Sequence, residues 1–254
     1  MERIFHTLYK FFIFWYICGV ILVGFDLLPD WLEWSNSVFI ITSGLLAWLY
    51  FMHCFGNVRG SLVSIGIFVS TFIVEYLGSS TSFLFGDYSY TNQFAPNVFG
   101  VPIAIGFAWV MVIATAYALL QYFRIRQPLL RAFIGGVAAL LMDLVLDPVA
   151  YKVKSYWIWA DTGTYYDIPW TNFFGWFIIA FFIHFLLSYI NVHTVAVSWT
   201  SKLISLYVLI IGMFSFIALL QQLYLASSIG IVTAVCVIFG MVNRRSIDDQ
   251  SKEK

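Results

Sequence analysis

Charge is what this chain lacks. Of 254 residues only 10% are Asp, Glu, Lys or Arg, while 61% are hydrophobic; soluble domains carry about 25% charged residues. Mean hydropathy is +0.88. Such a chain cannot cover a water-facing surface. It reads as all-α, a polytopic transmembrane helical bundle forming a single integral membrane domain over residues 1–254, with a motif-bearing core at about 61–190. The net charge of +0 provides no general basic surface, so nucleic acid is not expected as a partner. Cysteine is scarce too. Cys18, Cys54 and Cys236 each sit in an apolar run, no two have metal or redox spacing, and a secreted disulfide framework is absent. The histidines, His6, His53, His184 and His193, form no repeated box of the kind a di-iron oxygenase needs. Only His184 lies well within an apolar run, where a hydrogen-bonded core role is expected. No metal is expected. A Walker loop, a Rossmann glycine fingerprint and a Gly-x-Ser-x-Gly elbow are all missing, which disfavours nucleotide cofactors and serine hydrolysis. No cofactor is expected.

What the chain has is apolar runs. Eight are long enough, or nearly so, to cross a bilayer: 8–25, 37–55, 61–77, 101–123, 129–150, 172–190, 203–223 and 225–241. The third and eighth are short, and an abrupt turn joins the last two. Arg3 and Lys10 come before the first run, and no small-residue cleavage site follows it, so it reads as a retained span. Basic residues support the count. Arg3, Lys10, Arg59, Arg124, Arg126, Arg131, Lys202, Arg244, Arg245, Lys252 and Lys254 fall on one side, and only Lys152 and Lys154 on the other. By the positive-inside rule both termini are cytoplasmic.

The opposite side is acidic and aromatic. Asp143 and Asp147 stand one helical turn apart, so both carboxyls project from one face. Gly135 and Ala139 continue that face, and Pro148 is expected to end or kink the helix. A carboxylate at membrane depth costs roughly 2.5–3.5 kcal/mol on insertion scales. Two on one face suggest function, namely a proton donor and an acceptor. Glu75, near the end of the third run, falls at the same outer level. For Glu75 alone, a structural hydrogen-bonding role is as good a reading. A long loop then carries Tyr151, Tyr156, Trp157, Trp159, Tyr165, Tyr166 and Trp170, with Lys152, Lys154, Asp161 and Asp167 interleaved. Interfacial Trp and Tyr are common, but this density suggests a lid whose ring faces would attract a cation. A short echo links Gly86-Asp87-Tyr88-Ser89-Tyr90 and Asn97-Val98-Phe99-Gly100 to Gly163-Thr164-Tyr165-Tyr166 and Asn172-Phe173-Phe174-Gly175; chance explains it best.

The stretch from about Glu75 to Trp176 resembles the carotenoid-biosynthesis membrane proteins that include carotenoid 1,2-hydratases of the bisanhydrobacterioruberin hydratase type. The matching residues are Glu75 with Gly78, Phe85-Gly86-Asp87-Tyr88-Ser89-Tyr90, Gly100-Val101-Pro102 and Trp109. They continue with Asp143-Leu144-Val145-Leu146-Asp147-Pro148, Trp157-Ile158-Trp159, Tyr165-Tyr166, Pro169 and Asn172-Phe173-Phe174-Gly175-Trp176. The first two and last two runs carry no such motif. Lys154-Ser155-Tyr156 stands where a glycine is expected before Trp157.

The resemblance implies a multi-pass protein of the cell membrane acting on a lipophilic polyene, a carotenoid, without a redox cofactor. The implied reaction adds water to a terminal isoprenoid double bond. Asp143, Asp147, Glu75 and Asp87 are then the candidate acids and bases. Tyr88, Tyr90, Trp157 and Trp159 are candidates for the wall, and Trp109, Tyr165, Tyr166, Asn172 and Trp176 join them as candidate substrate-binding residues. Membrane lipid surrounds the bundle, other enzymes of the pathway are candidate partners, and Gly135, Gly136, Ala138 and Ala139 are expected to leave room for sideways entry. Rival readings are cyclisation or isomerisation of the same end group, a proton-coupled carrier, and a non-catalytic scaffold.

Overall fold

A computed structural model describes residues 1–192 and 196–250, apart from the side chains of 92 and 247–250. His193, Lys252 and Lys254 lie outside the described residues. Among the described residues eight helices are long and apolar enough to cross a membrane: α1 (Glu2–Gly24), α2 (Trp34–Phe55), α3 (Asn57–Thr81), α4 (Ile103–Tyr122), α5 (Pro128–Pro148), α6 (Trp170–Leu187), α7 (Val197–Leu220) and α8 (Tyr224–Gln250). All eight apolar runs are helical, and most helices outrun them. α3 is no short span, because its polar end stays helical. Ser79, Ser80 and Thr81 turn their hydroxyls back onto the carbonyls of Tyr76 and Leu77, which satisfies both groups inside the helix.

α4 is the axis of the bundle. It is apolar all round, as a buried helix must be, and packs against α2, α3, α5, α6 and α7. Within its apolar window 83% of residues are buried, against 11% in α1 and 22% in α8. Those two helices form the rim.

Pro148 is the last residue of α5, as expected, but the chain stays helical beyond it. The helix runs on into one π-helical turn, Val149–Val153, closed by Lys154 N–H to the Val149 carbonyl at 3.0 Å. Because proline has no N–H, the Leu144 carbonyl loses its normal donor. The Tyr165 hydroxyl replaces it at 2.6 Å.

The connecting segments hold a feature absent from the sequence reading. Strand β1 (Tyr88–Tyr90), after α3, pairs antiparallel with strand β4 (Trp157–Trp159), after α5. Between α3 and α4 a small hairpin joins β2 (Asn97–Val98) to β3 (Val101–Pro102). The sequence echo has no structural counterpart: Asn97-Val98 is strand, whereas Asn172-Phe173 is helix.

Candidate active site

The two-stranded sheet builds the roof of the site. Tyr88 faces Trp159 across it, and Tyr90 faces Trp157. Side chains alternate along a strand, so these four aromatics point into the bundle while Ser89 and Ile158 point out; Ile158 is 54% exposed. The turn that leads into β4 pivots on Ser155, whose φ of +50° lies in the left-handed region. That is where glycine is expected, and serine holds the turn instead. Its carbonyl accepts from the Thr91 hydroxyl at 2.8 Å. Lys154 ties this corner to the α1–α2 connection through an ion pair with Glu33 at 2.6 Å.

Beneath the roof lie three buried acids. Glu75 accepts three hydrogen bonds: from Tyr88 and Tyr90 hydroxyls on Oε2, both at 2.7 Å, and from the Trp109 indole on Oε1 at 2.9 Å. Burial and the adjacent Glu75 carboxyl push both phenols well above their ordinary range, so each stays a donor. Trp109 in turn stacks on Trp176, with ring centroids 4.3 Å apart. Asp143 and Asp147 occupy neighbouring turns of α5. The Asn172 side-chain amide donates to Asp143 Oδ2 at 3.0 Å and to Asp147 Oδ2 at 2.7 Å. Trp157 donates to Asp147 Oδ1 at 2.8 Å. Among the described residues the one hydrogen bond to the Asp143 carboxyl is that of Asn172 on Oδ2, and the buried Trp159 indole nitrogen is turned toward Asp147 without closing a hydrogen bond of ordinary geometry.

A cavity of about 90 Å³ joins these groups. Glu75, Asp143, Asp147 and Asn172 line its polar part, and Tyr88, Tyr90, Trp109, Trp157, Trp159 and Trp176 surround them. α1, α2 and α7 also contribute, through Val23, Phe39, Ile40 and Met213, although the outer spans carry no motif. Their signal was only apolar, which any span shares.

Not every expected residue is there. Asp87 is exposed, and its main chain joins the sheet edge: its N–H meets Asp161 Oδ2 at 3.1 Å and its carbonyl accepts from Ala160. Tyr165 serves the Leu144 carbonyl. Tyr166 accepts from the N–H groups of Leu225 and Ala226 at the start of α8. Neither tyrosine lines the cavity. His184 is core, but neither of its ring nitrogens has a hydrogen-bond partner among the described residues; its ring lies against Gly135. Among the described residues no three His, Cys, Asp or Glu side chains cluster as metal ligands would.

A buried acid pair under an aromatic roof, within a bundle of helices long and apolar enough to cross a membrane, defines a class of protein: a multi-helix bundle with an acid-lined, aromatic-walled pocket. Residues 35–241 match the family model described as "Carotenoid biosynthesis protein", and the chain belongs to that family. It is also similar to a bisanhydrobacterioruberin hydratase from Haloarcula japonica, 26% identical over 122 residues. That match covers 46% of this chain and 41% of the relative's length. No solved structure matches the chain.

Proposed function

We propose that the protein hydrates a terminal carbon–carbon double bond of an acyclic carotenoid, giving a tertiary alcohol. The observation that carries this reading is the acid pair, bridged by one amide nitrogen, at the end of an aromatic-walled apolar cavity. At one-turn spacing the Cβ atoms lie roughly 5–6 Å apart. Two carboxylates that close repel each other in a dry wall, so the pair holds one proton between them. Asp147 accepts a donor on each oxygen, which suits the ionised form. Asp143 keeps one oxygen disengaged and is the proton donor.

Asp143 protonates the CH carbon of the terminal trisubstituted alkene, and a tertiary cation forms on the neighbouring dimethyl-bearing carbon. The faces of Trp157, Trp159, Tyr88 and Tyr90 stabilise that cation, and the Glu75 and Asp147 charges add to the effect. Water attacks the cation and passes a proton to Asp147. Transfer of that proton to Asp143 restores the pair, and one water has been added. Asn36 and Lys154, at the loop end of the cavity, mark the side from which water arrives.

The test is product analysis in membranes containing the protein and a linear carotenoid, without oxygen or nucleotide. In heavy-oxygen water the product gains one labelled hydroxyl. In deuterated water it gains a deuteron on the carbon beside the alcohol. Asp143→Asn and Asp147→Asn each lower turnover by about 10²-fold or more. A cyclised product of unchanged mass would replace hydration by cyclisation, and oxygen drawn from dioxygen would overturn the acid–base reading.

A further inference from the structure

The small-residue face of α5 is closed to sideways entry. A Cβ on Gly135 would collide with the His184 ring, and one on Gly136 would lie 2.9 Å from Phe177. α6 covers that face.

Open space lies across the bundle instead. A second cavity, of about 210 Å³, sits between α1 and the start of α2. Phe14, Cys18 and Leu22, four residues apart along α1, line it as one stripe. Leu28 and Leu32 close its loop end. It shares Val23, Asn36, Phe39 and Met213 with the acid cavity, so these four residues form the neck between the two. Gly19 keeps the slot wide: a Cβ there would stand 3.9 Å from Met213 Sδ, with no other atom within 4 Å. The outer wall is thin, because α1 is mostly unburied and Phe14 is 61% exposed.

Pockets that enclose a drug-sized ligand measure about 300–1,000 Å³. The acid cavity, at about 90 Å³, is far smaller. It can enclose the end of a long molecule but not its length. We propose that the α1–α2 cavity holds the stretch of a linear polyene immediately behind its reacting end, and that the Val23–Phe39–Met213 neck sets how far that end reaches toward Asp143. This rests on the polyene reading above. The substrate then enters from lipid past α1, and specificity for an acyclic chain end resides in the slot rather than among the acids.

The native cysteines provide the test. Cys18 lines the slot, Cys236 is exposed on α8, and Cys54 is buried. Membranes bearing the full-length protein are treated with a lipid-soluble maleimide, with and without an acyclic carotenoid. Labelling of each cysteine is then followed by peptide mass spectrometry. The carotenoid should slow labelling of Cys18 by roughly tenfold when present at about ten times its Kd, and leave Cys236 unchanged. Asp147→Asn should keep this protection while losing turnover. Unprotected Cys18 under conditions that form product overturns the slot and leaves hydration standing. Protected Cys18 with no hydrated product under any condition does the reverse. An inert Cys18, or equal slowing at Cys236, also overturns the slot, since the cavity is then closed to apolar molecules or the carotenoid acts through the bilayer.

Discussion

Replacing Asn172 with leucine tests whether the acid pair depends on its clamp. Asn172 is 4% exposed in the first turn of α6, and its amide nitrogen reaches both aspartates. Leucine has the same branched shape, so the change removes the donor without opening a void. A hydrogen bond to a charged group contributes roughly 1.5–3 kcal/mol net. Only one of the pair is ionised in the proposed mechanism, so we assign that range to the clamp as a whole. If the clamp acts fully in the transition state, at 1.36 kcal/mol per tenfold, kcat falls roughly 10- to 150-fold. KM should change much less, because Asn172 positions the acids and the apolar walls bind the chain. Asn172→Asp, which puts an acceptor where the donor was, should be worse than leucine. The assay is product formed per folded protein, with folding read by size-exclusion fluorescence. A folded Asn172→Leu protein with a kcat close to the parent's would refute the clamp.

Tyr165→Phe should leave turnover nearly intact and lower the thermal midpoint in detergent, since it strips the Leu144 carbonyl of the donor that replaces Pro148; the loss is about 1 kcal/mol. Ser155→Gly should raise the midpoint by up to about 1 kcal/mol of stability, because glycine adopts the left-handed conformation without strain; a lowered midpoint would show that the serine side chain holds the turn. Reporter fusions after Arg245 should read as cytoplasmic and those within 160–167 as extracytoplasmic; an outside C-terminus would sink the topology proposed from the basic residues.

The helices and the acids were legible in the sequence for the same reason. Burying charge in a membrane is costly, so apolar runs and rare acids both stand out against the composition. Glu75 stands far from Asp143 and Asp147 in the chain, yet all three line one cavity. The roof was harder to see because each strand is three residues long and each partner lies in a different loop. Its signal was the alternation itself: Tyr-Ser-Tyr and Trp-Ile-Trp each put two large aromatics on one face. Asp87, Tyr165 and Tyr166 belong to the same motifs yet face away from the cavity. A motif marks a segment, and the main chain decides which of its side chains turn inward. The closure of the Gly135–Gly136 face was invisible for a related reason. Small residues permit either a gap or a close helix, and only the partner decides; here α6 brings His184 and Phe177 against it.

Glu75 separates a structural acid from a functional one. All its donors are neutral: two phenols on Oε2 and one indole on Oε1. In Glu75→Gln, the amide oxygen can keep the indole N–H while the amide nitrogen donates to a tyrosine oxygen, because hydroxyl hydrogens rotate and an indole N–H only donates. The network therefore survives with its shape intact, and only the charge is lost. If Glu75 were glue alone, the variant would fold and turn over like the parent. If its charge stabilises a cation in the shared cavity, the loss is calculable. At about 6 Å and an effective dielectric of about 20, the attraction is roughly 3 kcal/mol, which corresponds to roughly 100-fold in rate. Glu75→Asp retains the charge but pulls it back from the roof, and should fold less well while keeping more activity than Glu75→Gln per folded molecule. A well-folded Glu75→Gln protein with parental turnover would return Glu75 to a purely structural role and leave the cation to the aromatic faces and Asp147.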